Sequence, residues 1–222
     1  MTKILPLALL LALGCSSFGP GNLQSRHSTD LQNRKIRRIA VLPPALTPLE
    51  QNSRGPLAPN SSTDRATAER EAPEILARLL YSTMASMPNW QIVSESEVRE
   101  IAESVRASSE AARLKQIGER VYADAVITGR ILRFRERIGN ELGVKSPASV
   151  AFVLDLVDVR RGDILWSARF DETQKPLSEN IFAIGDISQR GVRWLTAEQL
   201  VHEGLKKAVA QLHDILVRNP TS

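Results

Sequence analysis

The chain has 222 residues, of which 42% are apolar, 24% charged and 5% aromatic, with twelve Gly and twelve Pro. This is an ordinary globular composition, and it excludes collagen-like and low-complexity architectures. A single cysteine, Cys15, excludes an intrachain disulfide framework and a cysteine-rich zinc site, and the formal net charge of +4 attracts anionic surfaces weakly without requiring nucleic acid as partner.

The amino terminus carries Lys3, followed by an apolar run from Ile4 to Leu13. That run is too short to cross a hydrocarbon core, which needs about 20 helical residues. It fits the apolar region of a secretory signal. Ala12-Leu13-Gly14-Cys15 resembles the lipobox of bacterial lipoproteins, in which the signal is cut before the cysteine and the thiol is acylated. Ser16 follows; the resemblance implies the outer membrane, because an Asp there usually signals retention at the inner one. Two further readings of the segment are a plain cleaved signal and a buried helix with an idle thiol. The expectation is a signal peptide over 1–14 and a lipid anchor at Cys15. Residues 15–34 are then a flexible tether, polar and aperiodic. A coil of this length spans roughly 25 Å root-mean-square.

A folded domain is expected over 35–218. Lys35 to Leu42 reads as a strand stopped by Pro43-Pro44. A proline-bearing loop is expected over 43–63. Ile75, Leu76, Leu79, Leu80, Met84 and Met87 then build one helical face, with Pro73 placed in a first turn; the other reading is that 65–72 is helical too, with a kink. Trp90 to Val93 is a short strand. Ser94-x-x-Glu97 is a capping box that opens a helix carrying Val98, Ile101 and Val105. Leu114, Ile117 and Val121 mark another helix, from about 109 to 122.

Ala125 to Phe134 is a strand, 137–148 a loop, and Ser149 to Val159 a strand of alternating pattern. Arg160 to Asp163 turns the chain into a hairpin partner, Ile164 to Phe170, with Ile164, Trp166, Ala168 and Phe170 on one face. Residues 171–195 read as irregular. Thr196-x-x-Gln199 caps a final helix bearing Leu200, Val201, Leu205, Val209, Leu212 and Leu216. The order is β-α-β-α-α-β-β-β-α, an α/β (α+β) chain with a mixed sheet and helices packed on it, as two layers or a partial sandwich.

The series Ile39-Ala40-Val41-Leu42-Pro43, Val93-Ser94-Glu95, Ala123-Asp124-Ala125-Val126-Ile127-Thr128-Gly129, Leu154-Asp155-Leu156-Val157-Asp158-Val159 and Gly162-Asp163-Ile164-Leu165-Trp166-Ser167 resembles a superfamily of periplasmic lipoproteins. That superfamily includes CsgG, LpoB and the amino-terminal domain of TolB. The resemblance covers most of 36–217 and is architectural, not catalytic. It implies a protein-binding accessory or scaffold role in the cell envelope. A CsgG-like secretion-channel subunit is the alternative, and it would need membrane-spanning strands of about 9–11 residues. Neither 137–148 nor 171–195 supplies them. An envelope enzyme is the second alternative, but no G-x-S-x-G, H-E-x-x-H or P-loop pattern occurs in the chain.

Arg133, Arg135 and Arg137 fall on one face of a strand, with Arg130 and the turn residues Arg160 and Arg161 expected nearby in space. Two readings stay open: an anion-binding stripe, or a solvated face that protects a sheet edge. Phe182 and Trp194 lie in the irregular 171–195 segment, either as core cover or as a partner or self-association surface. His202 and His213 stand about 16 Å apart along a helix, too far to share a metal. Asp155 and Asp158 point to opposite strand faces and make no carboxylate pair. No cofactor, metal or nucleic acid is expected; the expected partners are the membrane, through Cys15, and envelope proteins.

Overall fold

The computed structural model describes residues 22–46, 62–141, 143–174 and 194–217, with only the backbone described over 62–69. Nine strands and four α-helices are present among them. The strands are β1 (Leu23–His27), β2 (Arg38–Val41), β3 (Ala45–Leu46), β4 (Gln91–Ile92), β5 (Ala125–Arg135), β6 (Ile138–Gly139), β7 (Val144–Ser146), β8 (Ser149–Asp158) and β9 (Ile164–Thr173). The helices are α1 (Ser62–Ala85), α2 (Glu95–Ser104), α3 (Glu110–Arg120) and α4 (Ala197–Val217). The mixed sheet and the helices are as the periodicity predicts, but the helices flank both faces of the sheet, which makes three layers in place of the two layers or partial sandwich expected.

The main sheet runs β1-β9-β8-β5-β2-β4, with β3 paired to β5 beyond the end of β2. Its β5-β2-β4 side is parallel; from β5 through β8 and β9 to β1 every pairing is antiparallel. Pro43-Pro44 interrupts β2, and the chain re-pairs with β5 at Ala45. From β2 the chain crosses to β4 through α1, then back past β2 to β5 through α2 and α3. Crossovers are right-handed, so reversing direction puts the two sets of helices on opposite faces.

Each face accordingly has its own core. On one, Leu76, Leu80 and Met84 of α1 and Leu200, Leu205, Val209 and Leu212 of α4 pack on Ile127, Phe152, Leu154, Leu156, Trp166 and Phe170. On the other, Val98 and Ala102 of α2 and Leu114, Ile117 and Val121 near α3 pack on Ala40, Val93, Val126, Val157 and Val159. Two glycines permit the closest approaches. A Cβ at Gly204 would lie 2.7 Å from the Phe170 ring, and one at Gly118 only 2.2 Å from Val159. The caps foreseen at Ser94 and Thr196 form: Glu97 N donates to Ser94 Oγ and Gln199 N to Thr196 Oγ1.

Five further expectations need correction. Most of the tether is folded: β1 pairs with β9 along its whole length, a 3-10 helix follows over Thr29–Asn33, and Leu31 is completely buried. The polar, alternating Leu-Gln-Ser-Arg-His is an edge strand, whose weak pattern reads like coil. Helix α1 begins at Ser62, so Pro73 lies inside it and not in its first turn. The 137–148 loop contains the two-stranded β6–β7 sheet, whose strands of two and three residues are far below a membrane-spanning length. Strand β9 continues to Thr173, into the stretch expected to be irregular. A register shift between Leu156 and Val157 breaks the alternation of the hairpin, leaving Ile164 54% exposed while Leu165 and Trp166 are both buried.

Candidate functional site

Helices α2 and α3 cover only part of their face of the sheet. Beyond Val126 and Val157, no described helix lies over β5, β8, β9 and β1 on that side. The register arranges the outward residues there in rows. Arg135, Ser149 and Thr173 form one; Arg133, Ala151 and Asp171 the next; then Arg130, Val153, Arg169 and Gln24; then Thr128, Asp155, Ser167 and Arg26. A bulge between Ile131 and Arg133 sets the phase. It adds one residue, so that Ile131 and Phe134 both enter the core while Arg130 and Arg133 both point outward. With strands about 4.8 Å apart, the rows make a platform roughly 15 Å wide.

Carboxylates space the guanidiniums on this platform. Arg130 pairs with Asp155 at 3.1 Å. Asp171 accepts from Arg133 on one side and from Arg169, at 3.0 Å, on the other. Nε of Arg133 also donates to Ser149 Oγ at 2.6 Å, and that hydroxyl lies 2.6 Å from Thr173 Oγ1. Burial pushes the Asp171 carboxyl up, but the hydrogen bonds and charges of Arg133 and Arg169 outweigh it and hold the group below its ordinary range. Arg130 and Arg169 stay half exposed, and Arg26 is exposed with no side-chain partner among the described residues.

Of the arginines expected to form one stripe, Arg133 and Arg135 lie on the platform and Arg130 joins them. Arg137 does not: β5 ends at Arg135, and the Arg137 guanidinium turns to donate to the Trp194 carbonyl. Trp194 N donates to Glu141 O at 3.0 Å, so the half-buried Trp194 is fixed to the segment around β6 and β7. Glu136 secures the same corner by accepting from Ala197 N, at the start of α4. Cys15, Phe182 and most of the 43–63 loop lie outside the described residues. Sequence reasoning missed Arg26, Arg169 and Asp171. Alternation around buried Ala168 and Phe170 would have put Arg169 and Asp171 outward, but Arg26 sat in a segment read as tether.

The opposite end of the sheet carries another unusual group. Tyr122 is 84% exposed and adopts φ +54°. It follows the cap of α3, where Tyr122 N donates to Glu119 O and Ala123 N to Gly118 O, the paired bonds of a left-handed helix stop. Nearby, Asp124 accepts from the backbone N–H groups of Arg37 and Arg38, and Asp158 pairs with Arg34 at 3.3 Å. His213 stacks edge-on against Trp90 and contacts Pro88 O, a packing arrangement. Among the described residues, no group of His, Cys, Asp and Glu is placed to hold a metal ion, and no helix is long and apolar enough to cross a membrane.

No family model and no curated protein matches the chain. Solved structures of similar outline exist. The PelC dodecamer from Paraburkholderia phytofirmans aligns at 12% identity with a TM-score of 0.48, covering 86% of this chain and 96% of that one. The LpoB C-terminal domain from Salmonella enterica aligns at 17% identity and a TM-score of 0.34, over 62% and 83%. The lipoprotein GNA1162 from Neisseria meningitidis aligns at 15% identity and a TM-score of 0.37, over 69% and 97%. At these values the likeness carries nothing about role.

Proposed function

We propose that this chain is a lipid-anchored protein of the outer membrane, its body in the periplasm, that binds other envelope components and performs no catalysis. The observation that carries the reading is Cys15, the only cysteine of the chain, placed directly after a short apolar run and seven residues before Asn22. Acylation of such a cysteine supplies more than one chain, which is what stable anchoring takes. Anchoring confines the body to a thin layer beneath the membrane and raises its effective concentration near partners held there. The body offers two surfaces for such contacts: the arginine-bearing platform and the end of the sheet that bears Tyr122.

The test is the mass of the mature protein purified from membranes. The expected product begins at Cys15 and carries a mass increment of fatty acyl groups. A bare thiol on the mature chain would overturn the reading. Cys15→Ala is expected to move the protein from the membrane fraction to the soluble periplasmic fraction.

A further inference from the structure

We propose that the platform formed by β5, β8, β9 and β1 lies against the membrane and binds the anionic phosphate headgroups of the leaflet that holds the Cys15 lipid. The inference deepens the proposed function and takes from it only the position of the anchor.

The first argument is reach. Asn22 is already tied to the sheet, where Asp171 N donates to Asn22 O at 2.8 Å. Only six residues separate Asn22 from Cys15. Fully extended, the seven steps between the two span at most about 25 Å. A body of this size is about 40 Å across. The leash is therefore shorter than the body, and the surface beside its attachment stays near the bilayer. That surface is the platform: β1 is its outer strand, and Asn22 is hydrogen-bonded to the residue that bridges Arg133 and Arg169.

The second argument is charge. Apart from Arg135, which has an interaction of its own, Arg26, Arg130, Arg133 and Arg169 face outward here against Asp155 and Asp171. These six groups leave a surplus of two cations, in a flat array with small residues, Ser149, Ala151 and Ser167, between them. Guanidinium forks match phosphate oxygens in pairs. Two surplus cations near an anionic surface strengthen attachment by roughly 30-fold, at about fivefold each. This is too weak to anchor the body at physiological salt, but it is enough to orient one already tethered, and at low ionic strength, where surface charges are least screened, it registers as binding of the unlipidated chain.

The test uses the full mature chain carrying Cys15→Ala, so that no lipid contributes. Binding is measured by flotation with vesicles of phosphatidylcholine containing phosphatidylglycerol and with vesicles of phosphatidylcholine alone. Binding is expected only to the anionic vesicles, and it should weaken as salt rises. Arg26→Gln and Arg169→Gln should each reduce it about fivefold. Arg26→Lys should retain it, and Arg160→Gln, in the β8–β9 turn at the other end, should leave it unchanged. Melting curves verify that each variant is folded. Equal binding to both vesicle types, or equal losses for Arg160→Gln and Arg26→Gln, would overturn the proposal. So would the absence of vesicle binding coupled with platform variants that lose a photo-crosslink to an acidic protein in cells, which would assign the platform to that protein. None of these outcomes bears on whether Cys15 is acylated, which the mass measurement decides separately.

Discussion

Asp171 and Tyr122 show how single residues report on the two ends of the sheet. The Asp171 carboxyl is held low by two guanidiniums that outweigh the cost of its partial burial. A carboxyl whose value is lower in the folded chain than in the unfolded one stabilises the fold above its unfolded value, about 4, and loses that contribution as pH falls through the lower folded value. The side chain is 40% exposed, so solvent screening keeps the contribution small. Asp171→Asn is expected to cost about 0.5–1 kcal/mol at neutral pH. Urea titrations of both chains should converge as pH drops below about 4, and a gap that stayed constant to pH 2 would show that the pair is not ionic. At Tyr122, an L-residue occupies a left-handed position that glycine fills without strain. Tyr122→Gly is expected to raise stability by about 0.5–1 kcal/mol, seen as a rise in Tm of a few degrees. A drop in Tm would mean that the exposed ring is held by contacts that outweigh its backbone strain.

At the scale of elements, the edge strand β1 changes the account most. A five-residue polar strand is a poor sequence signal, because half of its side chains face water and the other half are small or amphipathic. What fixes it is its partner. Every residue of β1 lies opposite one of β9, from Leu23 against Phe170 to His27 against Trp166. Ser28 N then bonds Leu165 O, and Leu31 enters the core. Leu31→Ala separates the folded segment from a free tether. In a tether it would have no effect, whereas at a completely buried site it is expected to cost about 2–5 kcal/mol in chemical denaturation. The same strand covers the edge of β9, which would otherwise offer a row of unpaired backbone groups to other chains.

For the whole molecule, the relevant quantity is the ratio of leash to body. With the lipid proposed at Cys15, a tether running to residue 34 would let the body turn freely, whereas the pairing of β1 with β9 from Leu23 onward does not. Because the proposed role of Cys15 is to carry the lipid, Cys15→Ala is expected to alter where the protein resides while leaving its melting temperature unchanged, measured on the purified soluble chain. A lower Tm for that variant would place Cys15 within the fold. The two cores, on opposite faces, also explain why no described helix lies over the platform. Helices α2 and α3 end a β4-to-β5 crossover that reaches only the parallel half of the sheet, and no described crossover passes over the antiparallel half on that side.

Local chemistry and periodicity were enough to determine much of this protein. The capping boxes at Ser94 and Thr196, the helical stripes and the alternation of Val150, Phe152, Leu154 and Leu156 act over a few residues, and so they can be read from a few residues. Only the tertiary structure decided that 23–33 belongs to the body, that Arg137 leaves the arginine row for Trp194, and that Arg26 and Arg169 complete it. Each of these depends on partners far away along the chain: β9 for β1, the backbone at 194 for Arg137, and the register across four strands for the platform. A sequence displays its short-range preferences directly, but it does not display which distant strand will satisfy an edge or which bulge will turn an arginine outward.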